Sequence, residues 1–355
     1  MATQTPTTFR MPAEWEPHDA TWIAWPHEET DFPGKLAAID WVYVEIVRLL
    51  RECEQVEVLC HTDAVLQRAR ECLEISHVPL DGVRFHRAPT DRSWLRDSVP
   101  TGVLDKDGAL CWIGWQFNAW AKYDNFEQDA LVPEVVAGVT QRPLLRAKRP
   151  DGASLVLEGG AIETDGQGTL IVTEECLLSE VQQRNPGLTR EDYERLFNHY
   201  LGIQKTIWLS AGCAGDDTHG HIDDICRFIA PGTVVLCVDN DATSDNYASS
   251  QENLARLTGA TDAAGRPLKV VELPYPEALS YGVDRLPASY ANFYFANGRL
   301  LVPTFNDRRD AEVLTLLQKL VPNREVRGVY ARDLVLGQGT LHCLTQQQPS
   351  VQSGR

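Results

Sequence analysis

The chain has 355 residues, 43% of them apolar and 8% aromatic, enough for one large α/β domain or two of ordinary size. A formal charge of −17 argues against a nucleic-acid or anionic-membrane surface and leaves a cationic small molecule as the easier partner. No apolar stretch approaches the ~20 residues that span a bilayer, and none of the nine cysteines forms a C-x-x-C pair, so thiols in a reducing cytoplasm are the economical reading.

In chain order, residues 1–10 are polar and read as a disordered leader without the apolar run of a secretory signal. A strand over 21–25, an amphipathic helix over 37–51 and a strand over 56–60 follow. Four strand–turn–strand signals come next: 98–104 with 109–115, 160–164 with 169–173, 222–229 with 233–238, and 291–295 with 299–305. Their turns carry Asp-Gly or Asn-Gly type residues, which tolerate positive φ. The turn glycines Gly108, Gly166, Gly232 and Gly298 are 58, 66 and 66 residues apart. Helical patterns over 189–201, 249–258 and 311–320 precede strands over 204–209, 268–273 and 325–330, so the repeating unit reads ββαβ. A fifth hairpin, made from the strand at 21–25 and a C-terminal strand around Leu344, closes the units into a ring without free sheet edges. The alternative is an open α/β sheet with accidental spacings. Residues 11–349 are then a single catalytic domain and 350–355 a flexible tail.

Conspicuous polar residues fall at one register of this repeat. Asp97, in Trp94-Leu95-Arg96-Asp97, precedes the first hairpin; Glu158, before Gly159-Gly160, opens the second; the run Asp216-Asp217-Thr218-His219-Gly220-His221-Ile222-Asp223-Asp224 opens the third. Cys343 stands at the corresponding edge of the last unit, behind the glycine-rich approach Gly337-Gln338-Gly339. Taken singly, each has a plain structural explanation: Asp97 as half of an ion pair with Arg96, Glu158 as a turn residue, the other eight cysteines as small buried hydrophobes. Trp22, Trp25, Trp94, Trp112, Trp115 and Trp120 are core residues by default, with one or two available as site walls. In a closed repeat the shared register brings three carboxylates, a histidine and a thiol to one pit.

Carboxylates beside a thiol raise its pKa and suppress the thiolate unless the substrate restores the balance. A guanidinium does so best: it is planar, permanently charged, and its forked N–H groups match carboxylates bidentately. The expected cycle has the Cys343 thiolate attack the guanidinium carbon while His221, as imidazolium, protonates the leaving ammonia. Neutral His221 then activates water against the S-alkylthiouronium. The cycle requires no metal and no cofactor.

The motifs Trp94-Leu95-Arg96-Asp97, Trp115-Gln116-Phe117-Asn118-Ala119-Trp120, Glu158-Gly159-Gly160, Asp217 to Asp223, Asn292-Phe293-Tyr294 and Gly339 to Gln347 resemble those of the agmatine deiminase family, grouped with the Porphyromonas-type peptidylarginine deiminases. The resemblance spans 11–349. It implies a five-bladed ββαβ propeller, the pentein fold, with fivefold pseudosymmetry and catalytic residues at one end of the pseudo-axis. It also implies Cys343 as nucleophile, His221 as acid/base, Asp97 and Asp223 on the guanidinium, and Glu158 supporting both. Trp94, Trp120 and Asp217 are expected to line the substrate pocket. The implied reaction converts agmatine and water to N-carbamoylputrescine and ammonia in polyamine biosynthesis, by a cytoplasmic enzyme, with a homodimer possible. Two departures, His219 and the short stretch 274–287, bear on the far end of the substrate. Rival readings are a peptidylarginine deiminase, an amidinotransferase, a metal-dependent hydrolase using the H-x-H-x-D of His219, His221 and Asp223, and a non-catalytic scaffold.

Overall fold

Short aspartate-led turns set the rhythm of the chain. Asp105 Oδ1 accepts the backbone N–H groups of Asp107 and Ala109, Asp165 Oδ1 those of Gln167 and Thr169, and Asp262 Oδ1 those of Ala264 and Arg266. Such side-chain acceptors substitute for ladder partners at a reversal and so terminate strands. The glycines at the four hairpin turns all adopt φ between 69° and 78°, a range closed to most side chains.

The computed structural model describes residues 9–351. It is a mixed α/β structure with five small sheets built to one plan. In each, a short strand runs antiparallel to a second strand; a helix then returns the chain to a third strand parallel to the second. Three sheets comprise Thr101–Leu104, Leu110–Gly114 and Leu144–Arg146; Glu163–Thr164, Thr169–Thr173 and Lys205–Leu209; and Cys226–Ala230, Thr233–Cys237 and Lys269–Leu273. The fourth comprises Tyr294–Ala296, Arg299–Thr304 and Glu325–Tyr330. The fifth joins both ends of the chain, with Gln346–Pro349 antiparallel to His18–Ala24, followed by Gln55–Cys60 and an extra parallel strand, Val83–Arg87. A separate two-stranded hairpin pairs Ser280–Tyr281 with Asp284–Arg285.

The connecting helices follow their sequence pattern. Leu36–Arg51 buries Ile39, Val42, Tyr43, Ile46, Val47 and Leu50 along one face, the spacing of an amphipathic helix against a sheet. Arg190–Leu201 starts at a capping box between Thr189 and Asp192, which satisfies two otherwise orphaned N–H groups. The expected leader falls on residues 1–8 outside the described part, except that Arg10 pairs with Leu104 through two backbone hydrogen bonds of 2.8 and 2.9 Å. Residues 352–355 of the expected tail also lie outside it.

Strand starts differ from their sequence limits in one consistent way. Ser98, residues 160–161 and residues 222–224, expected as the first residues of strands, belong instead to the helical turns 95–98, 159–161 and 222–224, and the strands begin later. Leu341–Leu344 is likewise helical, so the last strand starts at Gln346 rather than around Leu344.

Where the five short first strands begin, the centre of the molecule holds charge instead of hydrocarbon. Arg227 donates to Glu163 at 2.8 Å, to Glu14 at 2.9 Å and to the Phe293 carbonyl at 2.5 Å. Arg96 donates to Glu14 at 3.2 Å, to the Gln347 side chain at 2.8 Å and to the His342 carbonyl at 3.2 Å. His342 Nε2 meets Glu14 Oε2 at 2.7 Å, and Glu14 Oε1 also accepts the Phe295 N–H at 2.8 Å. Burial raises the Glu14 pKa, but Arg227, His342 and Arg96 outweigh it and hold the carboxyl well below its usual range. Truncating one member strands buried cations, so Glu14→Ala should cost on the order of 3–5 kcal/mol. Urea unfolding at neutral pH measures this, and a loss under about 1 kcal/mol would contradict the central role of Glu14.

Candidate active site

Each helical turn that precedes a first strand delivers one functional side chain. Asp97 lies in the turn 95–98, Glu158 just ahead of 159–161, Asp223 in 222–224 and Cys343 in 341–344. All four are buried. His221, also buried, caps the turn that carries Asp223. Its loop is tied by Asp216, whose Oδ2 accepts the Gly220 N–H at 2.8 Å and the His221 N–H at 2.9 Å.

Gly160 shows how closely these groups converge. A Cβ at this residue would lie 2.5 Å from His221 Nδ1, 3.0 Å from Asp97 Oδ1 and 3.1 Å from Asp223 Oδ2. The same glycine donates its N–H to Asp97 Oδ1 at 2.9 Å. His221 Nδ1 is 3.9 Å from Asp97 Oδ2, and Nε2 is 3.8 Å from Glu158 Oε2. On the other side of Asp223, Oδ2 lies 3.7 Å from the Cys343 sulfur and 2.6 Å from His342 Nδ1.

Charge is distributed unevenly over this set. Burial raises the Asp97 pKa, His221 opposes it, Asp223 and Glu158 add to it, and the result is about 6. Burial acts on Glu158 too, but Arg184, 3.0 Å from Oε1, prevails together with His221 and lowers that carboxyl to about 2. Burial alone would lower the His221 pKa; Asp97, Cys176 and Glu158 reverse this and raise it well above the ordinary histidine value. The Cys343 thiol is pushed well up by burial and then by Asp223, Asp224 and Asp97. At neutral pH the site thus holds an imidazolium and a protonated thiol among carboxylates.

Several buried atoms here have no hydrogen-bond partner among the described residues: both ring nitrogens of His221, Oε2 of Glu158 and Oδ1 of Asp223. A cavity of ≈ 350 Å³ is lined by Trp94, Asp97, Trp120, Asp217 and Cys343 among others; His221, Glu158 and Asp223 are not on its lining, but His221 adjoins Asp97 and Asp223 adjoins Cys343. Trp120 belongs to three successive residues with left-handed φ, 119–121, a costly conformation for non-glycine residues. There it donates its indole N–H to Asp97 Oδ2 at 2.9 Å. Asp217 accepts from the Tyr123 hydroxyl at 2.6 Å and from Lys122 at 3.3 Å.

Of the site residues expected from sequence, Trp94, Asp97, Trp120, Asp217 and Cys343 line one cavity, while His221 stands 3.9 Å from Asp97, Glu158 3.8 Å from His221 and Asp223 3.7 Å from Cys343. The two departures separate: the hairpin 280–285 reaches the mouth with Tyr281 and Asp284, whereas His219 faces Ser179 at 3.1 Å and Glu175 at 3.9 Å. Among the described residues, the side-chain clusters close enough to share a metal ion are Glu158, Cys176 and His221, and Asp223, Asp224 and Cys343. Neither contains His219, so the H-x-H-x-D triplet is not assembled as a ligand set. Cys176, expected only as a buried hydrophobe, lies beside the histidine. Sequence reasoning also missed Glu14, Arg184, Asp216 and His342, and it attached no role to Asn292. Asn292 and His342 lie inside stretches that carry the family resemblance and Asp216 opens the acidic run, but nothing in the sequence marks what they contact; Glu14 and Arg184 belong to no motif.

Residues 10–349 match the family model for Porphyromonas-type peptidyl-arginine deiminases, and the chain belongs to that family. It is 36% identical over 366 residues to an agmatine deiminase of Pseudomonas aeruginosa, with 96% of each chain covered. Among solved structures it resembles an agmatine deiminase of Enterococcus faecalis, described as catalysing its reaction, at 32% identity and a TM-score of 0.89, with 96% of each chain covered. A substrate-bound agmatine deiminase of C. jejuni matches at 28% identity and a TM-score of 0.86, covering 97% of each chain.

Two substitutions test this geometry. Gly160→Ala should leave a folded protein whose His221 or Asp97 is displaced, with guanidine turnover reduced by on the order of 10²-fold; turnover within threefold of wild type would mean the three groups need not converge. Glu158 contributes stability that is fully present above pH ~4.5 and lost as pH falls towards its folded value of about 2. Glu158→Gln should therefore be less stable at pH 7 by on the order of 3 kcal/mol, with the gap narrowing below pH 4 in urea titrations.

Proposed function

We propose that the protein is an agmatine deiminase, which hydrolyses agmatine to N-carbamoylputrescine and ammonia through a covalent thiouronium on Cys343. The observation that carries this reading is the set of unpartnered acceptors on Glu158 and Asp223, held with Asp97 and His221 around one point next to a sulfur. A guanidinium has N–H donors for each of these acceptors and the positive charge the thiol lacks. Its entry offsets the carboxylate field on Cys343, which favours the thiolate.

In this reading Asp97 and Asp223 clamp the guanidinium, and Glu158 fixes it together with the His221 ring. The thiolate adds to the central carbon, and imidazolium His221 delivers a proton to the departing nitrogen, which leaves as ammonia. Neutral His221 then takes a proton from water as the water adds to the thiouronium carbon. Collapse expels the sulfur and leaves a ureido oxygen. The raised His221 pKa supports the acid role in the first half of the cycle.

The mouth of the cavity supports an amine at the other end of the substrate. Asp31, Asp217 and Asp284 line it, and its cation Arg92 is already paired with Asp31 and stacked 4.3 Å over the Tyr123 ring. A carboxylate tail would meet a net negative rim. Trp94 and Trp120 supply walls for a methylene chain. For the fold, the five like-built sheets, and a charge cluster drawing on all five, support a closed five-bladed ββαβ propeller in a single domain over 11–349. Free cysteines and the absence, among described residues, of any helix long and apolar enough to cross a membrane are compatible with a cytoplasmic enzyme.

Ammonia release and product mass across agmatine, arginine, methylated arginines and an arginyl peptide test the substrate. Agmatine should be turned over with kcat/KM at least on the order of 10²-fold above arginine. Preference for the peptide would move the reading to a peptidylarginine deiminase, and a new amidino product on adding amines would move it to an amidinotransferase. Cys343→Ala should abolish turnover while retaining agmatine binding by calorimetry; residual turnover near wild type would remove the covalent mechanism.

A further inference from the structure

Asp97 and Asp223 are both buried and converge on Gly160, yet the neighbours that hold them differ. Asp97 rests on neutral donors, the Gly160 N–H at 2.9 Å and the Trp120 indole N–H at 2.9 Å. Asp223 rests on a histidine: Nδ1 of His342 lies 2.6 Å from Oδ2, and the far nitrogen of that ring lies 2.7 Å from Glu14 Oε2. We propose that His342 is a positioning residue for the substrate: fixed on Glu14, its ring holds the Asp223 carboxylate by one oxygen and leaves the other for the guanidinium. The proposal rests on Asp223 being a guanidinium ligand, as argued above.

The ring is held at both ends. Glu14 and Asp223 both have lowered pKa values, and ionised carboxylates only accept, so each ring nitrogen carries a hydrogen and the ring is an imidazolium. Its backbone is tied as well: the His342 N–H donates to Asn292 Oδ1 at 3.0 Å, and its carbonyl accepts from Arg96 at 3.2 Å and from the Thr345 N–H at 3.1 Å. The side chain is buried, so both charge-assisted bonds are shielded from water. Asp223 Oδ2 is thereby engaged, 3.7 Å from the Cys343 sulfur, while Oδ1 stays buried without a partner among the described residues. A carboxylate pinned by one oxygen presents the other in a fixed direction, and a planar, forked ligand binds best to acceptors fixed in that way.

Charge separates the two aspartates in the same way. Burial raises the pKa of both, and Asp97, opposed by His221 but pushed further by Asp223 and Glu158, ends at about 6. For Asp223 the hydrogen bond and charge of His342 are the largest effects against burial, followed by His221 and Arg227, and the pKa falls below the ordinary aspartate value. The other ionisable groups around Asp223 are Asp97, Asp224 and Cys343. Of the three cations, His342 is the one in hydrogen-bond contact with Asp223 among the described residues. A carboxylate that must meet a cation is thus kept charged by a partner on the side away from the substrate.

The test removes one ring contact at a time. The amide of His342→Asn can reach Asp223 as Nδ1 does but not Glu14; that of His342→Gln can reach Glu14 as Nε2 does but not Asp223. KM and kcat for ammonia release from agmatine are measured from pH 5 to 8, beside calorimetric agmatine binding in a Cys343→Ala background. Circular dichroism and thermal melting establish folding. At pH 8 His342→Gln should raise KM by on the order of 10-fold with a smaller change in kcat, and His342→Asn should lie between it and wild type. Without the ring Asp223 takes up a proton at higher pH, and its grip on the cation is lost as pH falls through that raised value. The log KM of His342→Gln should therefore climb between pH 7 and 5 by up to about one decade per pH unit more than that of wild type, in which Asp97 titrates near 6. Wild-type KM and pH slope in His342→Gln would overturn the proposal, as would equal damage in both variants at every pH. Failure of His342→Gln to fold, although it keeps the Glu14 contact, would assign His342 to the scaffold and also overturn it. If His342→Asn alone misfolds, the pH slope of His342→Gln decides. If wild type releases no ammonia while the Cys343→Ala protein binds agmatine, the deiminase reading fails, and the same comparison made on binding constants decides for or against His342.

Discussion

The architecture depends on a carboxylate buried at the point where the five sheets meet. Glu14 ties Arg96, Arg227 and His342 together and accepts a backbone N–H from Phe295, while Arg227 extends the cluster to Glu163. Each sheet, or the turn leading into it, contributes at least one atom to this knot. The first strands that meet there are short, two to five residues each. Directional, charge-assisted hydrogen bonds define that junction better than side-chain packing, which tolerates sliding. Such a cluster is weak evidence of net stability compared with a hydrocarbon core, but it specifies a unique arrangement.

The cluster also borders the site. His342 bridges Glu14 to Asp223, so the scaffold's central carboxylate and the carboxylate proposed to bind substrate share one imidazole. The residue that completes the scaffold stands next to the proposed nucleophile, Cys343, in sequence. Between them, Asn292 reads both the Thr340–Cys343 backbone and the sulfur. Contiguous hydrogen bonds on either side of the Cys343 thiol therefore join its position to the fold. The site itself remains electrostatically unfavourable until a cation enters, with like charges close together and polar atoms unpaired. This is the usual cost of preorganising a site for charge that arrives with the substrate.

Much of this was legible in the chain. Period-two strands, Asp- and Gly-led turns and regular helical segments gave the ββαβ unit, and the near-constant spacing of its turns exposed the repeat. Asp97, Glu158, Asp223 and Cys343 could be singled out because they recur at one register. Asn292 sits at that same register, but an asparagine ahead of an aromatic strand has no chemical signature and passes for a turn residue. Cys176 is the small buried hydrophobe expected of it, and its place beside His221 could not be read from sequence, because burial and apolar neighbours look the same whether or not a histidine lies across the gap. Residues 98, 160–161, 222–224 and 344 were read as strand although they belong to helical turns, because turns of three or four residues are too short to show a helical period.

Local pattern alone thus determined the repeating unit, the turns and which residues were chemically conspicuous, since these follow from backbone preferences and side-chain periodicity over a few residues. The tertiary structure decided which partners those residues found: Arg184 for Glu158, Trp120 for Asp97, His342 for Asp223 and Asn292 for Cys343. These pairs lie 26, 23, 119 and 51 residues apart. A hydrogen bond specifies distance and angle to a fraction of an ångström, and no spacing along a flexible chain encodes that until the sheets have met.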